Sequence, residues 1–225
     1  MRYLIHSCQD RKWYVDKYIV PSMISQGIPP NQIEVFTDDK GLGNLEAFKK
    51  SIKLFGADDY WHLQDDILIS SYFKKQTQGL LEEDHPEVIC GFACKACMNC
   101  APGFSKPMNM WYSFPCIYIS KELIHEFIGW LDYKASTLMP DCLWVRDHRG
   151  DDALFRNFLI YYYPNMDIYN LAPNLVNHVD YLLGGSLANK QRDPKIDLTA
   201  EFWAEPELLV KLEEELKHDQ SFISL

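Results

Sequence analysis

The 225-residue chain lacks any run of about 18 apolar residues, so no segment reads as a membrane-spanning helix. Its start, Met1-Arg2-Tyr3-Leu4-Ile5-His6, lacks the apolar core of an export signal and reads instead as a first strand. Basic charge is scarce: 22 Lys and Arg stand against 32 Asp and Glu, a net charge of -10. That argues against a broad, sequence-independent grip on nucleic acid through many phosphate contacts, while a local basic groove stays open. Internal repeats, low-complexity linkers and a clear domain boundary are also missing. One soluble globular domain is expected, with 47% hydrophobic and 24% charged residues. With seven cysteines, an odd number, and no export signal, a reducing, cytoplasmic compartment and mostly free thiols are expected.

What is present first is alternation. Residues 3–7 read as a strand. A helical segment follows, with Tyr14, Val15, Tyr18, Ile19, Met23 and Ile24 apolar, and stops at Gly27 before Pro29-Pro30. Residues 33–37 read as a second strand ending in Asp38-Asp39. Gly41-Leu42-Gly43-Asn44 opens a helix over 45–55, with Leu45, Phe48, Ile52 and Phe55 on one face. Residues 60–63 form a third strand that ends in Gln64-Asp65-Asp66. Strand, helix, strand, helix, strand is the pattern of an α/β protein with a parallel sheet. Further strands are expected at 88–92 and 114–119, with an irregular stretch at 93–113 between them. Helices are expected at 121–134, capped by Ser120, at 153–162 and at 206–218. The Glu213-Glu214-Glu215 run reads as a solvated helix face.

In open α/β sheets, ligands bind beyond the carboxyl ends of the strands. Here those ends carry His6-Ser7-Cys8, Asp38-Asp39 and Asp65-Asp66. Each alone reads equally as a turn or an N-cap, roles that Asp favours. Together they place a nucleotide over strands one and two, with His6 and Ser7 beside the base and Asp38 or Asp39 at the ribose. Three motifs carry chemistry. Leu63-Gln64-Asp65-Asp66 puts carboxylates at a strand end, suited to a hard divalent cation that bridges to a diphosphate. Gly150-Asp151-Asp152-Ala153-Leu154-Phe155 puts carboxylates at a helix N-terminus, which keeps them ionised and available as a base. Pro173-Asn174-Leu175-Val176-Asn177-His178 delivers an imidazole, a good ligand for Mn-type ions, ahead of Gly184-Gly185-Ser186.

In this order the three motifs resemble the metal-dependent nucleotide-sugar glycosyltransferases of the GT-A fold, over about residues 3–190. The resemblance implies a Rossmann-like, mostly parallel sheet flanked by helices in a single domain, 1–225. Within it, about 1–92 would bind the nucleotide, about 93–200 would hold acceptor and base, and 201–225 would close with a helix. It implies a hexosyl- or pentosyl-transferase with a UDP-linked donor and Mn2+ or Mg2+. Asp66 and His178 would be the metal ligands, and Asp151 the base, with Asp152 as its alternate. His6, Ser7, Asp38, Asp39, Gln64, Asp65 and Ser186 would contact the donor. Gln64 stands where many members carry an acid, so a ribose or sugar contact is expected of it rather than metal ligation.

The cysteines Cys90, Cys94, Cys97 and Cys100 leave three readings open: a structural zinc, a disulfide, or free thiols in an acceptor-side loop. No second distant Cys-x-x-Cys pair supports the zinc. A zinc-stabilised binding module is the alternative from another class. A nucleotidyltransferase is a third reading, but Cys8-Gln9-Asp10-Arg11-Lys12 has basic residues without the glycines of a phosphate loop. The expected acceptor is a glycan hydroxyl or a hydroxymethylated DNA base. Trp111-Tyr112 and Phe114-Pro115 are candidates for an acceptor platform, and Asn189-Lys190-Gln191-Arg192 with Lys195 forms a small basic patch.

Overall fold

The structure, a computed structural model, describes residues 1–54, 59–80, 87–93, 102–107, 114–133, 151–185 and 202–223. Nine strands are assigned among them: β1 Arg2–Cys8, β2 Ile33–Asp38, β3 Tyr60–Gln64, β4 Ile67–Ile69, β5 Val88–Cys90, β6 Gly103–Ser105, β7 Cys116–Ile119, β8 Ile168–Asn170 and β9 Val176–His178. The helices are α1 Lys12–Tyr14, α2 Val20–Ser25, α3 Asn44–Lys53, α4 Phe73–Gly79, α5 Lys121–Tyr133, α6 Asp151–Tyr162 and α7 Pro206–Ile223.

Seven strands form one sheet in the order β2-β1-β3-β7-β5-β8-β6, and β4 pairs with β9 as a separate two-stranded ribbon. β1 is parallel to β2 and β3, and β5 to β8, while β7 is antiparallel to both β3 and β5 and β6 to β8. Five strands therefore run one way, β6 and β7 the other. The sheet is mostly parallel, as expected from the alternation, with two reversed strands that the alternation did not contain.

Strand pleating sorts the core into two layers. Tyr3, Ile5, Trp61, Leu63 and Tyr118 point to one face, where Tyr14, Val15, Ile19, Met23, Phe73, Leu212 and Leu216 cover them. Leu4, Tyr60, Ile117 and Ile119 point to the other, against Phe48, Ile52, Phe127, Phe155 and Phe158. Tyr3, Leu4 and Ile5 are all fully buried, as a central strand covered on both faces must be. The result is a sheet between two helical layers.

Several boundaries depart from the sequence pattern. The first helical segment is interrupted by a π-helical turn, Val15–Ile19. Pro21, just beyond it, has no N–H to continue the ladder. The fifth strand ends at Cys90 rather than residue 92. There Gly91 lies so close to β7 that an added Cβ would come within 2.6 Å of Cys116 Sγ. The strand expected at 114–119 begins at Cys116, with Phe114-Pro115 in a turn before it. β6 lies inside the stretch read as irregular. It is three residues long and starts on a glycine with φ of 95°, too short for any periodicity. α7 runs on to Ile223, beyond 218. Phe55, Gly150, Trp111-Tyr112, Ser186, the basic patch at 189–195 and Cys94, Cys97 and Cys100 lie outside the described residues. No described helix is long and apolar enough to cross a membrane.

Candidate functional site

The carboxyl ends of β1, β2 and β3 lie side by side, because the parallel registers pair His6 with both Phe36 and Gln64. Beyond β3 the chain turns through Asp65-Asp66 and re-enters extended structure as β4. β9 pairs antiparallel to β4, with Ile67 opposite His178. The same ladder continues into the turn, where Val179 N donates to the Asp66 carbonyl at 2.8 Å. His178 is thereby carried to the strand end that holds Asp66, and its Nε2 stands 3.2 Å from Asp66 Oδ1. The two residues singled out from distant motifs are neighbours. Asp180 lies on the far side of the imidazole, with its Oδ1 3.6 Å from Nδ1.

Arg11, which the sequence marked only as a basic residue after the first strand, completes the cluster. The 3-10 turn Gln9–Arg11 after β1 folds its guanidinium back under the strand ends, where the side chain is almost fully buried. Arg11 Nη1 donates to Asp66 Oδ2 and lies 3.4 Å from Asp65 Oδ1, and Nη2 donates to the Gly185 carbonyl at 2.6 Å. Gly184 and Gly185 both have left-handed φ, 94° and 85°, which glycine adopts without strain and which lets that carbonyl turn inward. Asp65 Oδ2 accepts the Cys8 backbone N–H at 2.9 Å. A phosphate-cradling loop needs unpaired N–H groups after β1, so spending this one on Asp65 disfavours a nucleotidyltransferase-type loop.

The electrostatics follow from burial and pairing. Burial pushes the Asp66 carboxyl up, but His178 and Arg11 outweigh it and hold the group well below the usual carboxylate range. Asp65 goes the other way, raised by burial and by the Asp66 charge beside it. The Cys8 thiol is pushed up to about 11 by burial and by Asp65.

The other expected donor contacts fare differently. His6 is buried at the end of β1 in an aromatic cluster with Phe36, Phe48 and His62, at ring distances of 6.0, 6.4 and 5.9 Å. His62 is completely buried, neither ring nitrogen has a hydrogen-bond partner among the described residues, and burial lowers its pKa. Ser7 donates its hydroxyl to the Cys8 carbonyl. Asp38 accepts the backbone N–H groups of Leu42 at 3.0 Å, Gly43 at 3.1 Å and Lys40 at 3.3 Å. That is the turn-forming use of Asp, organising the loop that enters α3. Asp39 is exposed and Gln64 half-buried.

Asp151 and Asp152 open α6. The helix ends at Tyr162 and leads into β8, whose first residue lies at the amino edge of the sheet. At about 1.5 Å per residue its twelve residues span roughly 18 Å, which returns its N-terminus to the carboxyl edge. Contacts agree: Gln64 N donates to the Pro115 carbonyl at 3.1 Å, and Phe114 packs against Phe155 at 5.6 Å. The second acidic motif thus opens on the same edge as the first. Asp152 is half-buried.

A cavity of about 520 Å³ opens elsewhere, at the amino edge, lined by Glu87, Tyr162, Tyr163 and Asp167 among others. It shares no residue with the acidic cluster. Cys90 is a core residue of β5. Among the described residues, no group of three or more His, Cys, Asp or Glu is arranged around a metal position.

The donor chemistry of the Asp66–His178 pair nevertheless fits a divalent ion. Asp66 Oδ1 is buried and, among the described residues, is met by His178 Nε2 rather than by Arg11. A separation of 3.2 Å from Nε2 matches adjacent ligands of one ion bound at about 2.0–2.3 Å. A carboxylate behind the histidine, here Asp180, is the usual outer support of a metal-bound imidazole.

No protein-family model matches the chain, and no curated protein matches it in sequence. Solved structures match in fold. Staphylococcus aureus TarS 1-349 superposes with a TM-score of 0.53 at 12% identity, covering 82% of this chain and 62% of that one. The same protein in complex with UDP gives 0.52 at 12% identity, over 78% and 59%. A197 from STIV gives 0.43 at 12% identity, over 79% and 84%. The chain spans about three fifths of the length of the TarS chains it matches. The likeness is one of fold: a GT-A-like, mostly parallel sheet flanked by helices in a single domain.

Proposed function

We propose that this chain transfers a sugar from a nucleotide-sugar, UDP-linked, to an acceptor hydroxyl. One observation carries the reading. Asp66 and His178, from motifs far apart in sequence, meet at 3.2 Å on the carboxyl edge of a GT-A-like sheet. That edge is where α/β sheets bind nucleotides, and TarS, which shares the fold, was crystallised with UDP.

Asp66 and His178 are the residues that would hold a divalent cation, and the chemistry such an ion supplies when bound is neutralisation of charge on the departing diphosphate. Asp65, tied to Cys8 N and Arg11, fixes the strand end on which the diphosphate rests. Asp151, at the first position of α6, takes the proton from the attacking acceptor hydroxyl, with Asp152 as its alternate. This role goes with inversion at the anomeric carbon. The helix N-terminus favours the ionised carboxylate that a base requires.

A panel of nucleotide-sugars tests the reading, scored for divalent-ion-dependent hydrolysis and for thermal stabilisation of the protein. At least one UDP-sugar is expected to be hydrolysed slowly and to raise the melting temperature only with Mn2+ or Mg2+. No response to any nucleotide-sugar would overturn the assignment.

A further inference from the structure

The Arg11 cluster contains one unmet donor, beside a carboxylate oxygen that faces an imidazole nitrogen. Arg11 Nε–H is buried and has no acceptor among the described residues, although Nη1 and Nη2 are both engaged. Asp66 Oδ1 is buried, and among the described residues it faces His178 Nε2 at 3.2 Å. A buried N–H without an acceptor calls for an anionic oxygen, and a carboxylate oxygen beside a neutral imidazole nitrogen can share a cation with it. A diphosphate carrying a divalent ion supplies both.

Arg11 also occupies a position that constrains the ion. Its guanidinium binds one oxygen of the same carboxylate whose other oxygen faces His178. A fixed positive charge there repels an incoming cation and attracts an anion. It also joins three separate segments: the turn after β1, the Asp65-Asp66 turn after β3, and the Gly184-Gly185 turn after β9. Arginine suits this because its planar fork can serve several acceptors at once, which a lysine ammonium cannot do in the same geometry.

We propose that Arg11 is a resident cation of this site, holding Asp66 in place, binding the donor's diphosphate directly, and opposing the divalent ion that shares its carboxylate. The inference rests on the nucleotide-sugar reading for the identity of the anion. Its consequence is a site that binds diphosphate measurably without metal and binds bare metal weakly.

Two titrations on the full chain test it: inorganic pyrophosphate in the presence of EDTA, and MnCl2 alone. Arg11→Gln should weaken pyrophosphate binding and tighten Mn2+ binding, each by roughly ten-fold or more, the scale of one charge-assisted hydrogen bond. Arg11→Lys should keep Mn2+ binding near the wild-type value and recover only part of the pyrophosphate binding. A residue with a merely structural role would lower both affinities together, and that result overturns the proposal. So does a variant unchanged in both, or an Arg11→Gln protein that binds Mn2+ no better than wild type. Arg11→Gln leaves Asp66 buried without its partner. If it does not fold, Asp65→Asn/Arg11→Gln is compared with Asp65→Asn alone, and the two affinities must still move in opposite directions. Wild-type protein that binds pyrophosphate but no nucleoside diphosphate more tightly sinks the nucleotide-sugar reading while leaving Arg11 as an anion-binding residue. Wild-type protein that does not bind pyrophosphate in EDTA sinks the Arg11 proposal itself.

Discussion

Cys8 gives its backbone N–H to Asp65 Oδ2 at 2.9 Å, so the ends of β1 and β3 are fastened to each other at the point where the acidic turn begins. The same carboxylate raises the thiol of the residue that binds it. Burial and Asp65 push Cys8 up from 9.0 to about 11. The raised value means the neutral thiol persists well above pH 9, and the nucleophilic thiolate appears only as pH climbs toward 11. Iodoacetamide labelling at pH 8 should therefore be slow and should accelerate steeply above pH 10. Asp65→Asn should speed labelling at pH 8 several-fold. Labelling as fast as a free thiol at pH 8 would show that Asp65 does not hold this end of β1.

Phe155 is fully buried and touches Phe114, Phe127 and Phe158, at ring distances of 5.6, 5.0 and 6.3 Å. It fixes α6, and hence Asp151, against the sheet. Phe155→Ala should cost about 3–5 kcal/mol in denaturant unfolding. Phe155→Leu, which keeps most of the volume, should cost distinctly less. Equal losses would mean that α6 is not anchored through this ring.

Asp38 should act on stability. Its carboxylate gathers three backbone N–H groups of the loop before α3. Asp38→Ala should lower unfolding free energy by about 1 kcal/mol, the scale of a lost cap. If Asp38 also reaches a ribose, the same variant weakens UDP binding beyond what Asp38→Asn does, a difference read by titration.

The contrast between Asp38 and Asp66 shows how far the sequence could be read. Both are acids at the ends of strands, and the alternation of apolar runs located both ends. What separates them is which groups face them. Asp38 is met by N–H groups two to five residues on, a local turn. Asp66 is met by Arg11 and His178, brought in by β1 and β9. His178 was legible because a short apolar strand and a glycine pair frame it. Arg11 was not, because a lone arginine in a polar turn looks like any solvated residue, and its acidic partners are 54 and 55 residues away. The one available signal was a basic residue directly after the first strand, on the ligand edge of an α/β sheet. β4 and β6 have three residues each, too few for period-two alternation to show. The burial of His6 beside His62 follows from pleat parity across β1 and β3, which needs the register and not the sequence alone.

Asp151→Asn should lower turnover by ~10²–10⁴-fold, the usual contribution of a general base, with donor and metal affinity nearly unchanged. Steady-state kinetics beside a donor titration separates the two effects. Full activity in both Asp151→Asn and Asp152→Asn, or a product that keeps the donor's anomeric configuration, removes the base assignment.

Under the proposed function, Asp66 and His178 together hold the cation that a UDP-linked donor needs. Calorimetric titration of UDP with and without Mn2+ tests it in wild type, Asp66→Ala, His178→Ala and the double variant, each checked for folding by circular dichroism. Mn2+-dependent UDP binding is expected in the wild type. Each single variant should lose that dependence, and the double variant should lose no more, because the two residues act on one ion. Mn2+-dependent UDP binding that survives in both folded single variants would contradict it.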